Sequence, residues 1–135
     1  MVITRETDYA LRLLRVLLDG ELHAVRDIAE SELVPQAFAY KILIKLSKAG
    51  LVCSIRGTAG GFRLCADLSQ TSLYDLMQAM GERSDLNACM DPEYTCPWRA
   101  THGMCALHCR LSTIQQKLDA ELRAHSLAEL LTGTR

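Results

Sequence analysis

Residues 35–66 read PQAFAYKILIKLSKAGLVCSIRGTAGGFRLCA. The stretch opens at Pro35, a residue best tolerated in the first turn of a helix. It meets no helix breaker before Gly50, where glycine most readily takes the left-handed conformation that ends a helix. Between those limits Phe38, Ile42, Leu43 and Leu46 recur at helical spacing and predict the core stripe, while Gln36, Ala37, Tyr40, Lys41 and Lys45 fall mostly on the other side. After Gly50 the pattern changes. Residues 51–55 and 62–65 read as two short strands joined by Arg56, Gly57, Thr58, Ala59, Gly60 and Gly61, a hairpin with a basic, glycine-rich tip. Cys53 and Cys65 alternate there with Val52, Ser54, Leu64 and Ala66, and the expectation for both is a small core hydrophobe.

Two helices are predicted upstream. Thr4 can cap the first, whose opening turn carries Glu6 and Asp8 at the positive end of the helix dipole; Tyr9, Leu13, Val16 and Leu17 then keep helical spacing until Asp19 and Gly20. A short second helix fits residues 25–31, and Glu32, Leu33 and Val34 make a tight connection to the third. Three helices followed by a two-stranded hairpin is the order of a winged helix-turn-helix. The charge distribution agrees with that order. The 135-residue chain has a formal net charge of −1, yet residues 33–66 hold Lys41, Lys45, Lys48, Arg56 and Arg63 and no acidic residue, which makes a local positive patch on a nearly neutral protein. A third helix whose first turns lack acid can enter a major groove; Gln36 can bond an adenine edge, and Tyr40 and Lys41 can reach phosphate or base. Gln36, Ala37, Tyr40, Lys41, Lys45, Arg56, Gly57, Thr58, Gly60, Gly61 and Arg63 form the candidate surface for double-stranded DNA.

Downstream, Ser72 and Asp75 suit a capping box that opens a fourth helix through about Met80, with Leu73, Leu76, Met77 and Met80 apolar and Gly81 closing it. Periodicity then vanishes over residues 82–103, where proline, glycine, asparagine and cysteine accumulate; a loop of that length in a small domain implies a function. A long helix returns with Leu107, Leu111, Ile114 and Leu118 spaced 4-3-4 and continuing loosely to Leu122. Too little chain follows to cover that seam, so it predicts a homodimer. Ser126 with Glu129 can cap a last short helix. The expected fold is mainly α with a small β-hairpin: a winged helix-turn-helix over residues 1–81, a cysteine-rich cofactor loop over 82–104, and a dimerisation helix with a short terminal helix over 105–135.

Arg5, Glu6, Asp8, Arg12, Arg15 and Asp19 interrupt any apolar run in the first twenty residues, so neither a signal peptide nor a membrane span is expected and the reading is a cytoplasmic protein. In a reducing compartment, six cysteines point to metal or packing before disulfides. Cys89 and Cys96 sit among Asn87, Asp91, Pro92, Glu93 and Pro97, where thiolates could wrap a metal. Cys105 and His108 are three apart at the start of a helix and share a face, beside free N–H groups that favour an anionic thiolate or cluster. Cys109 competes with His108 for the last ligand position, and Tyr94 and Trp98 are expected to shield a cofactor or pack the loop. The donor set suits an iron–sulfur cluster or a tetrahedral structural zinc ion. Cys105 with His108 as a catalytic pair has no nameable oxyanion donor or substrate pocket, so the chain is not read as an enzyme.

The segments ITRETDYALRLL (residues 3–14) and LSKAGLVCSIRGTAGGFRL (residues 46–64), with the cysteine-bearing stretch after residue 85, resemble the Rrf2 family of bacterial regulators and its IscR-like and NsrR-like iron–sulfur members. The run from KAGL through RG to GGF is the most specific part, because it sets a helix cap, a strand and the wing glycines in one register. The resemblance implies a winged-helix N-terminal half, a long dimerisation helix and repression of transcription; the two-fold dimer expected from the seam would read a near-palindromic operator. In many members it also implies a 2Fe-2S or 4Fe-4S cluster, which senses redox state, nitric oxide or iron. IscR-like members use a histidine shortly after the third cysteine, a place His108 matches; NsrR-like members use an aspartate near the start of the first helix, which Asp8 matches. The intervals between the cysteines are longer here than in the best-known family pattern. The alternative is a winged-helix DNA-binding protein with structural zinc and no sensing role.

Overall fold

A computed structural model describes residues 2–134. Helix α1 (Arg5–Val16) starts where Thr4 Oγ1 accepts the Glu6 backbone N–H at 3.2 Å, relieving one of the orphan donors of the first turn. Its inner face, Ala10, Leu13 and Leu14, continues into Leu17 of a 3-10 turn (Leu17–Asp19), and all four are fully buried. Helices α2 (Val25–Ser31) and α3 (Gln36–Lys48) close a three-helix core through Ile28, Ala29, Ile42, Leu43 and Leu46. The turn between them places Leu33 at φ 55, the only non-glycine residue with positive φ among those described. That conformation costs about 1 kcal/mol and lets Val34 donate back to the Ala29 carbonyl at 3.0 Å, which seats Val34 in the core.

Phe38 does not belong to the core stripe. It is 56% exposed, and Ala39 beside it is fully buried. The buried phase of α3 is 39, 42, 43 and 46, and Phe38 instead tilts against Tyr9 of α1 with ring centroids 6.5 Å apart. A helix turns about 100° per residue, so burying 39, 42, 43 and 46 leaves position 38 at the margin of the buried face.

Strands β1 (Val52–Ile55) and β2 (Gly61–Leu64) pair antiparallel from Val52↔Leu64 to Ile55↔Gly61. His23 adds a third short element: it and Phe62 exchange both backbone hydrogen bonds at 2.9 Å. Val52 and Phe62 face the core, whereas Cys53 is half-buried and Cys65 exposed, so the two cysteines are not core residues. The alternation holds but the cysteines take the outer face, because Cys53 pairs with exposed Arg63.

Helix α4 (Leu73–Ala79) opens with the Ser72–Asp75 capping box and buries Leu73, Leu76 and Met77, followed by Met80. The cysteine segment is not wholly irregular, since it holds a 3-10 turn (Ala88–Met90) and a short helix α5 (Pro97–His102) with proline in its first turn. Helix α6 (Ala106–Ala124) and α7 (Leu127–Thr132) follow. The α6 seam divides: Leu118 and Leu122 pack on the chain's own core, while Leu107 is 65% and Ile114 53% exposed. The end of the chain is tied back, Leu73 N–H donating to the His125 carbonyl at 3.0 Å and Leu127 N–H to the Thr71 carbonyl at 2.8 Å. Among the described residues no helix is long and apolar enough to cross a membrane.

Candidate nucleic-acid interface and cysteine loop

Helix α3 presents Gln36, Ala37, Tyr40 and Lys41 to solvent, and the wing presents Arg56, Gly57, Thr58 and Arg63, with Gly60 and Gly61 half-buried beneath the tip. A crevice of about 370 Å³ runs between them, lined by Tyr40, Ile44, Ser54, Arg56 and Gly60. The glycines are demanded by close approach. A Cβ at Gly60 would stand 2.1 Å from the Ile55 carbonyl oxygen, and one at Gly61 2.1 Å from that of His23. His23 had no usable spacing in the sequence, yet its backbone fixes the root of the wing, and its Nε2 meets Asp19 Oδ2 at 2.8 Å.

Five cations occupy this surface in sequence but not in space. Lys45 turns toward α1, its Nζ 2.5 Å from Glu6 Oε1 and 3.5 Å from the Met80 carbonyl oxygen. Among the described residues, Lys41, Lys48, Arg56 and Arg63 have no carboxylate within ion-pair distance.

The cysteine loop is fastened at its root. Gln115, buried on α6, donates from Nε2 to the Ser84 carbonyl and to Asp119 Oδ1, both at 2.9 Å, and accepts the Leu86 N–H at 2.7 Å. Ser84 Oγ donates to Asp119 Oδ1 at 2.6 Å. A buried side chain that bonds three groups in this way specifies one loop path. Its signal in the sequence is a polar residue four beyond Leu111 and three before Leu118. At the loop's start, Thr4 Oγ1 donates to Glu82 Oε1, linking the loop to the cap of α1. Arg83 pairs with Asp85 and Asp91.

Cys105 is the N-cap of α6, and its thiol accepts the His108 N–H at 3.5 Å. His108 Nδ1 is buried without a partner. Cys89 donates its thiol to Asn87 Oδ1 at 2.9 Å, Cys96 caps α5 half-buried, and Cys109 is exposed. Asp8 pairs with Arg12 on its own helix at 3.1 Å. Trp98 stacks on His102, centroids 4.4 Å apart, and both Trp98 and Tyr94 are about half exposed, so neither ring is an enclosed shield. Cys105 and His108 thus meet through the His108 backbone N–H, and among the described residues no three His, Cys, Asp or Glu side chains converge into a metal-holding group. The donor chemistry fits a cluster: thiols are free at Cys89, Cys96 and Cys105, and His108, three residues past the third, has a buried ring nitrogen with no hydrogen bond.

The family model for Rrf2, described as an iron-dependent transcriptional regulator, matches residues 3–133. The chain belongs to the Rrf2 family. The family is one of transcriptional regulators. As an Rrf2 chain it is 35% identical over 100 residues to Protein aau3 of Rhizobium meliloti, a match covering 72% of this chain and 65% of that protein. It is 34% identical over 95 residues to the HTH-type transcriptional regulator IscR of Vibrio vulnificus, covering 66% of this chain and 55% of that one. The chain thus spans less than two thirds of these relatives' lengths.

Solved structures share the Rrf2 fold. CymR, described as the global cysteine regulator of B. subtilis, superposes with a TM-score of 0.75 at 20% identity over 98% of both chains. T. potens IscR gives 0.69 at 17% identity over 98% of this chain and 88% of that one. At such identities the likeness establishes the winged-helix fold and nothing finer.

Proposed function

We propose that this Rrf2-family chain is a homodimeric repressor that grips a near-palindromic DNA site with α3 and the wing, its affinity set by an iron–sulfur cluster at the cysteine loop. The observation that carries the DNA reading is the row of unpaired cations: Lys41, Lys48, Arg56 and Arg63 stand on one helix and one hairpin with no carboxylate partner among the described residues. Cations already neutralised by protein carboxylates release no phosphate counterions, and these four are not neutralised. Gln36, Ala37, Tyr40 and Lys41 face the groove from the acid-free start of α3, and Arg56, Gly57, Thr58, Gly60, Gly61 and Arg63 form a thin wing for the adjacent backbone. Lys45 serves this surface indirectly, by holding α3 on α1.

Exposed Leu107 and Ile114 supply the dimer contact. Cys89, Cys96, Cys105 and His108 would hold the cluster, which when bound supplies a centre reactive toward oxidants and nitric oxide. The chain's own residues give the loop two attachments. Gln115 and Asp119 tie its root to the dimer helix, and Glu82 ties it to the cap of α1, whose first turn holds Lys45 through Glu6. A shift in the loop can therefore bias the placement of α3, which has the form of a population shift.

Protein purified without oxygen and presented with random-sequence duplexes should enrich one near-palindromic motif with half-sites roughly 10 base pairs, or a multiple, apart. The same preparation should be brown, and chelation should change its affinity. Absence of any enriched motif would remove the DNA reading. A colourless, zinc-loaded protein with intact DNA binding would replace the cluster with a structural metal.

A further inference from the structure

Cys53 and Cys65 take part in neither the groove-facing row nor the cysteine loop. The strand register pairs Cys53 with Arg63, and since side chains alternate along a strand, Cys65, two residues beyond Arg63, shares their face. Cys65 is held in place: its N–H donates to the Leu51 carbonyl at 3.1 Å and its thiol to the Gly50 carbonyl at 3.6 Å. Partial burial and then the neighbouring Cys53 thiol push the Cys65 thiol up to about 11. Both are free thiols, Cys65 exposed and Cys53 half-buried, within reach of a small oxidant.

We propose that Cys53 and Cys65 are a disulfide-forming pair, closed by a low-molecular-weight disulfide, and that closure changes the wing's grip on DNA through Arg63. Cys53 as thiolate attacks one sulfur of the oxidant and expels the other as a small thiolate. Cys65, giving up its proton, then attacks the Cys53 sulfur of the mixed disulfide and expels the second small thiol. Two protein thiols are oxidised, and the two electrons and two protons end on the two small thiols. A diagonal cross-strand pair stands about 7–8 Å apart, slightly beyond the Cα separation a disulfide spans at rest, so closing it must draw the strands together around Arg63. The effect on DNA rests on the interface proposed above; the sulfur chemistry does not.

The test uses the full chain, equilibrated with glutathione buffers from reducing to oxidising, its free thiols then alkylated, and half of each sample digested with trypsin. Cleavage after Lys48, Arg56, Arg63 and Arg83 separates the two cysteines, so the bond appears as peptide 49–56 joined to peptide 64–83, lighter than their sum by two hydrogens. The joined peptide should dominate in the oxidising buffers. DNA affinity, read on protein withdrawn before alkylation, should shift by at least about fivefold beyond any shift of a Cys65→Ala variant in the same buffers. Separately glutathionylated or alkylated peptides would overturn the pairing, and a joined peptide with unchanged affinity would overturn the switch. If the reduced protein bound no DNA, the interface reading would fail while the joined peptide still decided the pairing.

Discussion

Lys45 of α3 and Glu6 of α1 form an ion pair, Nζ to Oε1 2.5 Å, that joins the two helices which also meet through Phe38 and Tyr9. The pair removes one cation from a surface where sequence alone counts five. Lys41, four residues earlier, has no such partner among the described residues.

Lys41→Ala should weaken binding to all duplex sequences by a similar factor and lower the slope of log K against log salt by about 1. Lys45→Ala should leave the slope unchanged and instead lower the melting temperature by about 1–2 °C, as expected for a part-exposed ion pair worth about 0.5 kcal/mol. Titrating both variants against one duplex over a range of salt checks this, and equal slope changes would return Lys45 to the DNA surface.

Gly61→Ala should destabilise the fold by about 2 kcal/mol, since the new methyl meets the His23 carbonyl oxygen and the Phe62 ladder must open to admit it. Calorimetry gives the stability, and amide exchange at His23 and Phe62 gives the site. An unchanged melting temperature would mean that the root of the wing yields without cost.

Ile114→Glu combined with Leu107→Glu should give a folded monomer, because both side chains are exposed and neither helps close the chain's own core. Sedimentation at micromolar concentration should show the change in mass, with the helical circular dichroism retained. Leu122→Glu is the contrast: Leu122 is buried against the domain, so this variant should lose the fold.

Cys105→Ser should fold and dimerise but lose absorbance between about 320 and 420 nm, where sulfide-to-iron charge transfer falls in cluster proteins. Its DNA affinity should no longer respond to oxygen, nitric oxide or chelator. Cys53→Ser should keep the colour. A coloured, responsive Cys105→Ser protein would move the cluster to other ligands.

His125, between Glu121 (2.8 Å) and Glu129 (3.3 Å), has its pKa raised by hydrogen bonds and charge from both. A raised folded-state pKa adds stability below the unfolded value of about 6.5, and that stability is lost as pH climbs through the folded value. The melting temperature of the native chain should therefore fall relative to His125→Gln as pH rises from 6 to about 8. Parallel curves for the two proteins would show that the imidazolium contributes nothing.

Periodicity and punctuation in the sequence carried the element order, the Thr4, Ser72 and Ser126 caps, the hairpin and the long helix, because each of these is a local matter of spacing and backbone preference. They also marked the basic segment and the cysteines to be watched. What needed the folded chain were the choices between neighbours. Phe38 and Ala39 both fit a helix face, and only the way α3 is seated on the rest of the domain buries Ala39 and leaves Phe38 outside. Cys53 and Cys65 follow the correct alternation but lie outward, since a period of two says which residues share a face and not which face is buried. Lys45 and Glu6 are 39 residues apart, and Gln115 meets Leu86 across 29. Such pairings are set by how helices cross in three dimensions, and no local pattern encodes a contact between segments that meet only after the core has formed.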